Sequence, residues 1–137
     1  MNFEECLKRK LVVKKSEDSS VASGLLSLAN MRFEEVENLK NVTLKVEAYY
    51  EVIRELLTAL ISNAGYKSYS HECLISFLKE HNKESFDDSE IHLIDQMRLI
   101  RNDIVYRGDF VDEDFLERNK EKILMIISKL KRLIKDV

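Results

Sequence analysis

Proline is absent from this chain, and its 137 residues include only three glycines. These two residue types supply most of the tight turns that connect the strands of a sheet, so their scarcity argues against β-hairpins. Long helices joined by short loops are favoured instead, and we expect a bundle with no β-sheet. A chain of this length has room for a single core, so residues 1–137 are interpreted as one domain.

Strong charge of one sign is also missing. The net charge is only −3 at neutral pH, so no global basic field attracts nucleic acid, and any RNA site would have to be local. Apolar residues make up 45% of the chain and charged residues 34%, which is the composition of an ordinary globular domain rather than of a disordered one.

Several chemical motifs are lacking as well. There is no glycine-rich phosphate loop, no nucleophile elbow and no His/Cys/Asp cluster with metal-ligand spacing, so we expect neither a cofactor nor a metal. Cys6 and Cys73 are far apart and too few for a disulfide framework, which favours two inert thiols in a reducing cytoplasm. The polar, acidic start of the chain is unlike a signal peptide, and no apolar run reaches the roughly 20 residues of a membrane span.

The hydrophobic pattern predicts six helices. We expect them at about residues 3–15, 20–40 and 41–64, then from a cap at 68–70 to about 82, from 87 to 108, and from about 112 to the end. The third helix carries two adjacent apolar stripes, so it should lie at the centre, with Leu57 buried. The predicted fold is an all-α, antiparallel up-and-down bundle of about five to six helices.

Cap residues define the ends of these helices. Asp87 and Glu90 have the spacing of a capping box at the start of the fifth helix. Gly65 and Gly108 stand where a helix commonly ends in a left-handed residue. Between these ends of the fifth helix, a repeating apolar stripe is predicted to face the core, and it consists of Leu93, Met97, Ile100 and Ile104.

The candidate site lies on the other faces of the same helix. Arg98 and Arg101 fall one turn apart on a flank, whereas Asn102 and Tyr106 fall roughly opposite the apolar stripe. Such a polar strip suits a phosphate or nucleotide surface, and it equally suits a dimer seam, where Arg and Tyr are favoured. The structural alternative is a solvated face on which Asp95 pairs with Arg98.

The segment Arg101-Asn102-Asp103-Ile104-Val105-Tyr106 resembles the signature of the HEPN domains, the higher-eukaryote and prokaryote nucleotide-binding helical domains. In their RNA-cleaving members an Arg, usually with a polar residue directly after it, is separated by four to six intervening residues from a His. Two further segments are similar to the family, and the likeness runs from the second helix to the end of the chain. They are 48–60, with its Ala-Tyr-Tyr start, and 65–71, a Gly-Tyr-Lys turn before Ser-His.

The resemblance implies a homodimer in which the signature helices of two subunits meet. Arg101, Asn102 and Tyr106 of both chains would then line a shared cleft for RNA or a nucleotide. Tyr106 stands where the family has its catalytic His, and a tyrosine hydroxyl, with an ordinary pKa of about 10, is a poor base at neutral pH. His71 is interpreted as a packing or capping residue, and His92 lies too far along the helix from Arg101.

Three functions follow from this interpretation. The first is a cytoplasmic homodimer that binds RNA or a nucleotide without efficient cleavage. The second is a metal-independent HEPN ribonuclease and toxin, with Arg101 and Tyr106 as variant catalytic residues. The third is a helical interaction module that partners a nucleotidyltransferase. Some HEPN toxins are silenced by a nucleotidyltransferase that modifies a Tyr two residues after the His, but Gly108 occupies that position here.

Overall fold

Six helices and two short strands form the computed structural model, which describes residues 1–135. In chain order the elements are α1 (Phe3–Lys8), β1 (Val12–Lys14), α2 (Ser19–Val36), α3 (Val42–Asn63), β2 (Tyr66–Ser68), α4 (His71–His81), α5 (Asp88–Arg107) and α6 (Glu113–Lys135). The prediction of an all-α helical bundle is therefore confirmed. The predicted continuation of the last helix to the chain end falls on residues 136–137, which lie outside the described residues.

Helix α3 is the centre of the bundle, as its two apolar stripes predict. It packs against α2, α4, α5 and α6. A helix with neighbours on several sides needs apolar side chains on several sides, and thirteen of the 22 residues of α3 are buried. Leu57 of α3 and Ile127 of α6 are each 1% exposed, so both lie in the core.

The helix ends follow the capping residues in the sequence. The Asp87 carboxylate accepts from the Glu90 backbone N–H at 2.8 Å, and the Glu90 carboxylate accepts from the Asp87 N–H at 3.0 Å, which completes the predicted capping box. Gly65 and Gly108 follow α3 and α5 with φ of 86° and 67°, in the left-handed region that favours glycine. The start of α5 and its end are thus fixed by local chemistry.

The expectation of a bundle without a sheet is wrong, as is the expectation of one helix over residues 3–15. Helix α1 stops at Lys8, Lys10 takes a positive φ of 59°, and the chain continues as β1. Strand β1 pairs antiparallel with β2, with Val12 opposite Ser68. These strands come from distant parts of the chain, so no hairpin turn joins them. The scarcity of proline and glycine therefore could not exclude this sheet.

The two cysteines also differ from expectation, because they are joined in a disulfide bond. Cys6 in α1 and Cys73 in α4 lie with their Cα atoms 6.0 Å apart, within the usual range for this bond. Both side chains are fully buried. The separation of 67 residues in sequence is closed by the packing of α1 on α4. The bond ties the first turn of α4, where His71 lies, to the N-terminal helix.

Two buried carboxylates join neighbouring helices. Glu55 of α3 accepts two hydrogen bonds from Arg32 of α2, at 3.0 and 3.2 Å. Glu90 of α5 pairs with Lys129 of α6 at 2.9 Å. Because a buried charge is tolerated when it is paired and hydrogen-bonded, we interpret both contacts as structural. The second of them fixes α5 against α6.

No helix within residues 1–135 combines the length and the apolar character that crossing a bilayer requires.

Candidate functional site

The last three turns of α5 carry all four residues that the sequence singles out. Gly108 ends this helix, and the N–H groups of Gly108 and Asp109 bond to the carbonyls of Ile104 and Asp103. Leu93 and Met97 of the predicted apolar stripe are buried, whereas Ile100 and Ile104 are half-buried. The helix therefore leans away from the core toward its C-terminal end, where the candidate residues lie.

Arg98 and Arg101 lean onto the bundle and are mostly covered. Their side chains are 18% and 21% exposed. Arg98 Nε donates to Asp95 Oδ1 at 2.9 Å, so the i, i+3 pair expected from the sequence is present. Arg101 reaches across to α3, where its Nε lies 3.3 Å from Glu51 Oε1. Arg101 therefore joins α5 to α3, whereas Arg98 pairs within its own helix, and both side chains are mostly covered.

Glu51 of α3 is the acidic centre of this contact. Its Oε2 atom lies 2.8 Å from Arg54 Nη2, and its Oε1 atom faces Arg101. The contact with Arg101 is close enough for an ion pair, but it lacks the alignment of a hydrogen bond. Arg101 Nε is buried and has no hydrogen-bond partner within residues 1–135. An oxygen-rich ligand would supply the missing acceptor.

Asn102 and Tyr106 lie apart from the two arginines. Asn102 is half-buried, and the Tyr106 side chain is 76% exposed. Leu99 and Val105, at 50% and 47%, are exposed on the same part of α5. The structure thus divides the four predicted residues between a mostly covered arginine pair and a strip that we call the exposed strip, which consists of Leu99, Val105, Tyr106 and the half-buried Asn102.

His71 is a residue of this region that the sequence interpretation assigned to packing or capping. It begins α4, its ring centroid lies 6.1 Å from that of Tyr50, and it is half-buried. Burial lowers the pKa of His71, and the positive charges of Arg54, Arg101 and Arg98 lower it further, while Glu51 opposes the shift. The imidazole of His71 is therefore neutral at neutral pH.

The same charged groups shift the pKa of Tyr50. Burial raises its pKa to about 12, Glu51 raises it too, and Arg98, Arg54 and Arg101 oppose the shift. Arg54 and Arg101 contact the same carboxylate, that of Glu51, and Arg98 lies one turn before Arg101 on α5, so the three arginines lie at the contact between α3 and α5. We call this set the arginine cluster, and it consists of Arg54, Arg98 and Arg101 with the carboxylates Glu51 and Asp95.

The arginine cluster suits an anion. Three guanidinium groups face two carboxylates, which leaves one net positive charge in a half-buried site. Guanidinium groups bind phosphate oxygens in pairs, and partial burial strengthens that attraction. Within residues 1–135 no group of three or more His, Cys, Asp or Glu residues could hold a metal ion. The guanidinium groups of the cluster can bind an anion, and the His71 imidazole can exchange a proton.

A groove between α4 and α5 lies beside the arginine cluster. It has a volume of about 450 Å³ and is lined in part by Glu72, Asp88, His92 and Asp95. The groove has three carboxylates against one lysine, Lys79, and the Met1 amino group that contacts Glu72, so its lining is net acidic and we do not assign the anion to it.

Only weak features of the sequence indicated that Glu51, Arg54 and His71 belong to the candidate site. Arg54 and Glu51 belong to the segment that resembles the central HEPN helix, and His71 ends the segment that resembles the Gly-Tyr-Lys turn. Their closeness to Arg101 depends on how three helices pack.

No protein-family model, no curated protein and no solved structure matches this chain.

Proposed function

We propose that this chain is a HEPN-type domain that binds RNA or a nucleotide, and that it acts as a homodimer with little or no cleavage activity. One observation carries the proposal. Guanidinium groups from α3 and α5 gather at the same end of α5 that presents the exposed strip. RNA offers two matching chemistries, since its phosphates attract arginine and its unstacked bases stack on tyrosine.

The order of the similar segments supports the proposal. The Arg-Asn pair lies in the last two turns of a capped helix, the Ala-Tyr-Tyr segment lies in the central helix α3, and the Ser-His pair begins α4. The positions agree with the helical frame that the resemblance implies. The proposal places the protein in the cytoplasm, where RNA and nucleotides are available, although disulfides such as the Cys6–Cys73 bond are rare in that compartment.

The exposed strip supports the homodimer. Leu99, Val105 and Tyr106 form an apolar surface on one helix, and water contact with such a surface is unfavourable. A second copy of α5 that covers Leu99 and Val105 would bring Arg101, Asn102 and Tyr106 of both chains to the edge of one cleft. Tyr106 would then stack on a base or donate a hydrogen bond to a phosphate.

The test is binding of a labelled single-stranded RNA, followed by fluorescence anisotropy at several salt concentrations. Removing one charged contact should weaken binding roughly tenfold in Arg101→Ala and flatten the dependence on salt. Arg118→Ala is the matched control, because Arg118 is exposed on α6, away from the arginine cluster. Equal affinity of the wild-type protein and Arg101→Ala would reject Arg101 as a ligand contact.

Metal-independent RNA cleavage is the second candidate function, and one specific observation favours it. The His71 ring lies 6.1 Å from the ring of Tyr50, and Tyr50 precedes Glu51, whose carboxylate contacts Arg101, all within one chain. A neutral imidazole accepts a proton from a 2′-hydroxyl, and a guanidinium stabilises the charge that develops on phosphorus oxygens. Tyr106 would not be the base in this case. Cleavage by the wild-type protein that disappears in His71→Asn would establish this function.

A further inference from the structure

We propose that a phosphate of the ligand binds at the junction of α3, α4 and α5, on Arg54, Arg101 and His71, and that His71 takes up a proton as it binds. This inference rests on the proposed function, because it names where the phosphate of the RNA or nucleotide lies. It adds a property that the resemblance does not imply, namely binding that strengthens as the pH falls.

Glu51 defines the place of the phosphate. Its two carboxylate oxygens contact Arg54 at 2.8 Å and Arg101 at 3.3 Å. A carboxylate that bridges two guanidinium groups occupies the space that a phosphate, with similar oxygen spacing, would take. Arg101 Nε also retains an unused donor. We therefore expect the phosphate to displace Glu51 from Arg101 and to bind both guanidinium groups.

His71 begins α4, which packs against α3. Its ring lies beside Tyr50, the residue that precedes Glu51 on α3. The phenol of Tyr50 stays neutral in the physiological range because its pKa is about 12. Glu72, the next residue on α4, lies 3.7 Å from the amino group of Met1. The other charged groups around the imidazole, from α3 and α5, are Glu51, Arg54, Arg98 with Asp95, and Arg101.

The charge balance makes His71 important for affinity. With a neutral imidazole the site holds three guanidinium groups and two carboxylates, which is one net positive charge. Protonation of His71 doubles that charge next to the ligand. The surrounding arginines oppose protonation in the free protein, and the phosphate removes this opposition by neutralising them.

The sign of the pH effect follows from linkage. In the free protein the pKa of His71 lies below its ordinary value of 6.5, because of burial first and the arginines second. A bound phosphate raises this pKa, since a negative charge favours the imidazolium. The gain in affinity is therefore complete at pH values below the pKa of His71 in the free protein. It is absent at pH values above the pKa of His71 in the complex. Binding should tighten as the pH falls from neutral into the acidic range.

Isothermal titration calorimetry with an oligouridylate tests the inference, because its bases and phosphodiesters do not titrate in the range used. From about pH 8 to about pH 5.5 the wild-type protein should bind roughly three- to tenfold more tightly. Titrations in two buffers of different ionisation enthalpy should show proton uptake. His71→Asn should abolish both effects, and His92→Asn, a change on the exposed surface of α5, should retain them.

A permanently charged residue at position 71 distinguishes a ligand contact of His71 from a structural role. His71→Lys should bind at about pH 8 as tightly as the wild-type protein does at the acidic end, with no remaining pH dependence. Unchanged affinity and proton uptake in folded His71→Asn would overturn the inference while leaving the proposed function intact. Binding without proton uptake by the wild-type protein would do the same. Absence of binding by the wild-type protein at either pH would overturn both.

Discussion

Glu51 and Arg101 face each other across the contact between α3 and α5, with Oε1 and Nε 3.3 Å apart. The same carboxylate binds Arg54 at 2.8 Å, so one acidic side chain holds two guanidinium groups. All three side chains are at most 30% exposed, and salt therefore screens them less than it screens a surface pair. Glu51 both orders the arginines and competes with any anion that binds them.

Neutralising Glu51 should therefore strengthen anion binding. Glu51→Gln removes a negative charge next to the ligand, and we expect roughly fivefold tighter RNA binding, equivalent to about 1 kcal/mol of electrostatic attraction. The free energy of unfolding should fall by about 1 kcal/mol, because two ion pairs are lost. Fluorescence anisotropy and urea denaturation measure the two effects.

The matched control is Glu35→Gln, which removes the same charge from the exposed surface of α2. Its RNA affinity should be close to that of the wild-type protein. Weaker binding by Glu51→Gln would mean that Glu51 chiefly positions the arginines for the ligand, and the competition described above would be wrong.

The exposed strip predicts the oligomeric state. Light scattering should give twice the chain mass of 16.1 kDa, and Leu99→Lys should shift the protein toward the monomer, because it places a charge in the apolar interface. Met31→Lys is the matched control, since Met31 is an exposed apolar residue on α2. An unchanged dimer in Leu99→Lys would place the interface on another surface.

The tyrosine at position 106 predicts a low ribonuclease activity. The wild-type protein should show little or no ribonuclease activity, whereas Tyr106→His restores the spacing of the HEPN signature and should introduce cleavage. The assay follows one labelled RNA in the presence of a chelator, with Arg101→Ala as the third protein. Strong wild-type cleavage that is lost in Arg101→Ala would put the ribonuclease function first. Neither binding nor cleavage by any of the three would favour the helical interaction module.

The disulfide predicts a stability that depends on redox conditions. The bond between Cys6 and Cys73 closes a loop of 67 residues, and in the chain-entropy model such a loop contributes about 4 kcal/mol. Reduction with dithiothreitol should lower the free energy of unfolding by about this amount. The double variant Cys6→Ser with Cys73→Ser should be insensitive to the reductant. Equal stability of the wild-type protein with and without reductant would show that the two thiols are not joined in solution.

Local features of the chain were readable from the sequence. The capping box at Asp87 and Glu90, the left-handed Gly108 and the pair of Asp95 with Arg98 all involve residues within a few positions of each other. Their interactions depend on helix geometry alone, which fixes the direction of each side chain. The central place of α3 was also readable, because a helix with two apolar stripes has to be covered on two sides.

The local sequence pattern was misleading where a segment distant in sequence supplied the pairing strand or the bonded cysteine. Leu11 continues the helical spacing of Phe3 and Leu7, yet the chain leaves the helix and forms β1. Strand β1 is stabilised by backbone hydrogen bonds to β2, more than 50 residues later. Cys6 and Cys73 show the same limit, since nothing in the spacing of two cysteines indicates that their helices pack together.

The sequence by itself determined helices α2 to α6 and the caps of α5, because these depend on the spacing and chemistry of near neighbours. Only the tertiary structure decided the composition of the candidate site. Arg54, His71 and Arg101 lie on three helices, and their charges act on one another only when α3, α4 and α5 pack. Electrostatic energy depends on distance in space, and sequence separation does not specify that distance.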